Sequence, residues 1–274
     1  MSTSLKDTYH SMGDTYQQDK DSLITQSHLA QIKPFTSLKR FTTRNSSKTI
    51  RPTFTPASGQ AIITYIVSGE AAYSDSTGKH GILKKDGWAW VISGAGIWYS
   101  LEPITSDYVA IQLCIALSPA LENSPPQSAY LNPDLPTRDK SPQDDPAQVL
   151  IGWHGKNRSK FAVPSLLNYL VVHLDAHQTW SYEFPLNHQF AWVAVISGRL
   201  ESAKGEMRPN SLTIFRRPTE KIECRALTNS IVVLGSSADF DHDLIFQHHS
   251  VHTSADALQL GLKGISEAEK KLRE

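Results

Sequence analysis

The chain has 274 residues, with 27 Lys and Arg against 27 Asp and Glu and a pI near 7.2. That balance offers no basic surface of the kind that holds nucleic acid or an anionic membrane, so neither partner is expected. No apolar run approaches the ~20 residues of a membrane-crossing helix, and the length suits two domains.

Residues 1–30 are rich in Ser, Thr, Asp, Gln and His and lack an apolar core, which reads as a polar segment with a disordered composition and no cleaved signal. Short runs follow: "AIITYIVSG", "GWAWVISG" and "DYVAIQLCIAL", then "NYLVVHL", "FAWVAVISG", "SLTIFRR" and "SIVVLGSS". All are rich in β-branched and aromatic residues and are bounded by turn formers, which predicts an all-β protein. The first group places one barrel over 31–118 and the second another over 149–252. Ser118 to Gln148 carries seven of the fifteen prolines, so 119–148 reads as the connection between them. An internal repeat supports the division: "TYIVSGEAAY" returns as "VAVISGRLES", with Gly69 answering to Gly198. Over 253–274, "TSAD" supplies an N-cap device, and Leu258, Leu262, Ile265 and Leu272 recur at helical spacing, predicting an amphipathic helix docked on a barrel. The only cysteines, Cys114 and Cys224, sit in apolar runs as buried thiols do, which suits a reducing, cytoplasmic setting. The basic pairs Lys39-Arg40 and Arg216-Arg217 read as solvated surface.

The stretch "TYIVSGEAAYSDSTGKHGILKKDGWAWVISGAGIWYS", followed by "AIQLCIAL" and "SPPQSAYLNP", resembles the N-terminal domain of the pirins, and "DLIFQHHSVHTSADALQLGLKGI" resembles their closing strand and helix. The resemblance implies two tandem cupin barrels, each a jelly-roll-like double-stranded β-helix, with the C-terminal helix appended. It also implies one iron-like metal in the N-terminal barrel, held by a His-X-His pair and a His-X-Glu pair, and a second barrel without metal. Aligned on the glycine turns, the first pair falls on Thr55-Pro56-Ala57 and the second on Tyr99-Ser100-Leu101, so Thr55, Ala57, Tyr99 and Leu101 replace all four ligands.

A non-haem iron site needs about three convergent imidazole or carboxylate donors, and these residues do not supply them. A one-residue bulge would bring Glu102 to the place of Leu101; without one, strand alternation points Glu102 away from Tyr99. His173, Asp175, His177 and His188 in the second barrel, and His242, His248, His249 and His252 near the C-terminus, read as satisfied, capping or surface histidines. Trp88, Trp90 and Trp98 read as core or rim residues. Alternation turns Thr55, Ala57, Ile97, Tyr99 and Leu101 toward one interior, with Gln60, Thr64 and Gln112 as further lining candidates. That interior is either plugged by Tyr99 and Leu101 or open to a ligand. No nucleophile elbow, phosphate loop or activated thiol is present in the sequence. The expected function is therefore binding of a small molecule or a protein partner by a monomer or homodimer without cofactor, leaning away from enzymatic activity. The alternative is an iron-dependent dioxygenase of the quercetin-degrading type, with ligands elsewhere.

Overall fold

The computed structural model describes residues 21–43, 54–133, 145–161, 166–217 and 221–273. Its N-terminal half contains β1 (Ser22–Ile24), α1 (Leu29–Ile32), β2 (Phe35–Thr42), β3 (Thr55–Ala57), β4 (Gln60–Ser68), β5 (Ala71–Asp75), β6 (His80–Leu83), β7 (Trp88–Ile92), β8 (Ile97–Pro103), β9 (Val109–Ala116) and β10 (Gln127–Leu131). They form two antiparallel sheets, in the orders β1-β2-β9-β4-β7-β10 and β3-β8-β5-β6, facing each other as a barrel. The second half repeats the plan. It holds β11 (Ala147–Ile151), the hairpin β12 (Trp153–His154) and β13 (Asn157–Arg158), β14 (Leu167–Leu174), β15 (Thr179–Glu183), β16 (Phe190–Ser197), β17 (Leu200–Ser202), β18 (Gly205–Met207), β19 (Leu212–Arg216), β20 (Lys221–Ala226) and β21 (Ser230–Ser237). Its sheets run β11-β14-β21-β16-β19 and β15-β20-β17-β18. The all-β reading with a C-terminal helix holds.

The long apolar runs have a topological cause. Every residue of "QAIITYIV" in β4 is buried because one face lines the first barrel and the other packs against the second. The largest core cluster lies between the barrels and joins Phe35, Trp88 and Trp90 of the first to Tyr169, Phe190 and Trp192 of the second. Phe161 stacks on Trp90 with centroids 5.1 Å apart and meets Trp88 edge-on, so both tryptophans are core residues. The repeat is also visible in the backbone: Gly69 and Gly198 end β4 and β16 at φ of 73° and 82°, where a side chain is strained.

Several expected boundaries shift. Residues 22–30, the end of the polar N-terminal segment, form β1, a short 3-10 turn and the start of α1, because Leu23 and Ile24 bury nearly completely and Ile32 of α1 buries fully; residues 1–20 lie outside the described part. The connection contributes to the fold: β10 pairs with β7 from Gln127↔Ile92 to Leu131↔Trp88, after the prolines at 125 and 126 and before the one at 133. Prolines there bound a strand at a sheet edge instead of excluding one.

The region expected to close the second barrel leaves it. A hairpin of β22 (Ile245–Gln247) and β23 (Ser250–His252) crosses to the first barrel, where Ser250 bridges to Ser58, and α2 (Ala255–Arg273) follows. Ser254 caps α2 by accepting the Ala257 N–H at 3.2 Å, while Thr253 is engaged elsewhere. The helix lies against β8: Trp98 Nε1 donates to the Ile265 carbonyl at 2.9 Å, and a Cβ on Gly96 would meet Ile265 N at 2.4 Å. No described helix is long and apolar enough to cross a membrane.

Candidate functional site

The pairing register assembles one belt of side chains around the waist of the first barrel. On one sheet Lys39 faces Gln112, Gln112 faces Thr64, Thr64 faces Ala89 and Ala89 faces Tyr130. On the other, Thr55 faces Tyr99 and Tyr99 faces Asp75. Directly opposed residues of antiparallel strands point to the same side, so the whole row faces inward. Tyr130 donates to Asp75 Oδ2 at 2.8 Å and ties the sheets together. Gln112 donates to Thr64 Oγ1 at 3.0 Å and is hydrogen-bonded to Tyr99.

Asp75 also accepts from Thr77 N and Oγ1 at 2.8 and 2.6 Å. Burial alone would raise its carboxyl, but bonds from Thr77, Ser128 and Tyr130 hold it below the usual carboxylate range. Tyr99 and Cys114, both on the inward face, are partly buried. Burial raises the Tyr99 phenol well above its ordinary value and pushes the Cys114 thiol up to about 12, so both are neutral. Ala57 and Ile97 are fully buried below the belt with Ile62 and Val91, while Leu101 packs above it. Gln60 is drawn aside, its amide donating to the His249 carbonyl at 2.5 Å.

The family's metal positions therefore hold a hydroxyl, a methyl, a neutral phenol and an isobutyl group. Glu102 offers no rescue: β5 and β8 pair without a bulge, and Glu102 opposes Ala72 on the outward side while Leu101 opposes Tyr73. Among the described residues no three of His, Cys, Asp and Glu converge as a metal site. The donor set does not fit an iron-like ion.

The histidine groups do not assemble. His173 Nε2 lies 3.1 Å from the Tyr65 hydroxyl, which donates to Asp86 at 2.7 Å and so links the two barrels. His177 occupies a turn at φ 70°. His188 bonds Ser236, whose cross-strand neighbour Asn168 is roughly 17 Å along β14 from His173. His248 and His249 form the turn between β22 and β23, where φ at His248 is 50°; neither lies on a strand. His252, expected near the surface, is wholly buried because the tail wedges it beneath α2.

His252 belongs to a group with the connectivity of a hydrolytic triad: Ser58 Oγ is 2.9 Å from its Nε2, and its Nδ1 is 3.3 Å from Glu122 Oε2, off the line of a good hydrogen bond. Access decides against hydrolysis. A Cβ on Gly261 of α2 would meet Ser58 Oγ at 2.5 Å and His252 Nε2 at 2.4 Å, leaving no room for a substrate carbonyl. The group is a latch holding the tail to the barrel. Glu122 completes it, accepting Thr253 N at 2.6 Å and Thr253 Oγ1 at 2.7 Å.

The second barrel holds another buried polar chain, Asn168, Tyr182, Ser236 and His188, with links of 2.8, 2.6 and 2.7 Å. Burial, aided by the Arg217 charge, lowers His188 to about 4. Its folded value lies below the unfolded one near 6.5, so its contribution is fully present above pH 6.5 and is lost as pH falls toward 4. That swing is about 3 kcal/mol at most. Urea midpoints from pH 7.5 to 4 should fall across this window, and His188→Gln should flatten the fall; an equal slope in the variant would remove His188 as the cause.

Sequence reasoning missed Asp75, Tyr130, Glu122 and His252 as positioned groups. The "SDSTGK" turn was a local cue for Asp75, since an Asx carboxylate two residues before Thr77 bonds its own turn. Lys39 is exposed, as its solvated reading expected, and its register with Gln112 depends on pairing with a strand 73 residues later.

The pirin family model matches residues 16–115. A Pseudomonas aeruginosa protein bearing the provisional name quercetin 2,3-dioxygenase PA2418 is 23% identical over 197 residues, covering 69% of this chain and 68% of the relative. A quercetin 2,3-dioxygenase from Acinetobacter baumannii shares the fold at a TM-score of 0.79 and 17% identity over 90% of each chain. The bacterial pirin YhhW from Escherichia coli, solved with nickel(II), aligns at 0.58 and 15% identity over 76% of this chain and 83% of its own. The pirin signature thus lies in the first barrel, over residues 16–115, and the two-barrel fold is shared along most of the chain.

Proposed function

We propose that the N-terminal barrel binds a small organic molecule without a catalytic metal. The observation that carries this reading is the belt itself: at the level where the family's ligands stand, Thr55 and Tyr99 join Gln112, Thr64, Tyr130 and Asp75 in a row of neutral hydrogen-bonding groups around one saturated carboxylate. Such a row orients a ligand among apolar walls. It supplies no open coordination position and no ionised donor trio for binding dioxygen.

The alternative, a metal-dependent dioxygenase of the quercetin-degrading type, draws on the names carried by the relatives from Pseudomonas and Acinetobacter. Iron, nickel, zinc and manganese measured per chain, after purification without chelating resin, separate the two. The expected result is far less than one equivalent of any of them and no flavonol turnover. A full equivalent accompanied by turnover would establish the dioxygenase.

A further inference from the structure

The tail formed by β22, β23 and α2 is attached so that it can leave as a unit. Residues 238–244 join it to β21 without regular structure, and none of them is buried. Apart from the single bridge between Ser250 and Ser58, β22 and β23 pair only with each other, so neither barrel loses a strand when the tail lifts away. The contacts that hold it converge on His252, which is 0% exposed. Ser58 lies against its Nε2 and Glu122 against its Nδ1, and a Cβ on Gly59 would meet its ring at 2.8 Å. The hydrogens of the group follow from its donors. Ser58 gives its one hydroxyl hydrogen to Ser250 Oγ at 2.9 Å, so it accepts from His252 and the ring hydrogen sits on Nε2. Nδ1 of the neutral ring then carries a lone pair. It stands 3.3 Å from Glu122 Oε2, off the hydrogen-bond line, and both carboxyl oxygens already accept from Thr253. A second ring hydrogen, on Nδ1, would be shut away from water with no acceptor in line.

We propose that His252 is an acid-sensitive release for the tail: the neutral ring seals the hairpin and α2 onto the first barrel, and protonation of the ring frees them. Among the described groups packed against the ring, Glu122 is the one that titrates; the β3–β4 turn presents Ser58 and Gly59, β23 presents Ser250 and α2 presents Gly261. Burial makes His252 harder to protonate, and Glu122 opposes that only in part, so the docked ring sits below its ordinary value near 6.5. The seal is therefore fully present above pH 6.5 and weakens as pH falls below it. One proton changes the docked-to-free ratio by up to about ten-fold per pH unit, until the docked value is passed.

Hydrogen exchange of the full chain at pH 7.5, 6.5 and 5.5, read by peptide mass spectrometry and corrected for the intrinsic amide rate at each pH, reports opening of the tail against the barrels. Peptides from 245–273 are expected to exchange several-fold faster at pH 5.5 than at pH 7.5, relative to peptides from β4 and β16, with about ten-fold as the ceiling. His252→Gln keeps a hydrogen-bonding amide and takes no proton, so it should abolish the pH dependence even where it raises opening at every pH. His188→Gln, in the second barrel, should leave the tail's dependence intact. Ring-labelled histidine NMR of the wild-type chain gives a readout that does not need a folded variant: His252 should become charged together with tail opening. Tail exchange that ignores pH, a pH dependence that survives in His252→Gln, or a His252 that charges while the tail stays docked would each overturn the proposal.

Discussion

Replacing Glu122 by alanine is expected to destabilise the protein by about 3 kcal/mol, the order expected for losing a buried side chain that accepts two short hydrogen bonds. Glu122 is 2% exposed; its carboxyl group accepts from the Thr253 N–H and the Thr253 hydroxyl and lies 3.3 Å from His252 Nδ1. Truncation would leave the Thr253 N–H and hydroxyl without their acceptor at the root of α2. Glu122→Gln retains shape and one carbonyl acceptor and should cost less. Thr253→Val, losing the hydroxyl and keeping the N–H contact, should cost about 1 kcal/mol. Urea unfolding gives the ranking, and limited proteolysis locates the damage: cleavage should begin in the tail after residue 252 before either barrel is cut. A Glu122→Ala protein as stable as wild type would show that other contacts hold the tail.

Rebuilding the donor set should convert the first barrel into a metal site. Thr55→His, Ala57→His, Tyr99→His and Leu101→Glu together place three imidazoles and a carboxylate on adjacent strands already in register, Thr55 against Tyr99 and Ala57 against Ile97. Ala57 is fully buried, so its imidazole needs the volume released when the Tyr99 ring is replaced. Loss of Tyr99 also frees Gln112 from one bond. The variant should take up about one nickel or iron ion per chain with an affinity of ~1 µM or tighter, where the native chain takes up substoichiometric amounts. Elemental analysis gives the stoichiometry and calorimetry the affinity. Equal uptake by the native protein would mean that it has donors other than these four positions. A folded variant that stays metal-free would mean that the backbone, as well as the side chains, has departed from the metal-binding geometry.

Much of the architecture was legible because it depends on local chemistry. Alternation, β-branched runs and glycine turns identify strands by rules that act over a few residues, and the paired Ser-Gly turns repeat at Gly69 and Gly198 because each ends a strand at positive φ. The four altered ligand positions could be located by counting from those turns, since a strand advances one face per residue. Prolines misled at the connection: they mark where a ladder cannot continue, yet five residues between them suffice for an edge strand, β10, which brings Tyr130 to Asp75.

The site groups obey longer rules. Lys39 and Gln112, Tyr99 and Asp75, Glu122 and His252 are separated by tens to more than a hundred residues, and what unites each pair is register or the crossing of the tail. A one-residue slip in either sheet would turn the belt outward without changing a single local preference. The sequence by itself determined strands, turns, the terminal helix and the absence of ligand-type side chains at the four positions, because each follows from residue type and short spacing. Only the tertiary structure decided that β22, β23 and α2 cover the first barrel and that Tyr130 on one sheet reaches Asp75 on the other. Those outcomes are settled by which apolar faces find each other, a choice made among elements far apart in the chain.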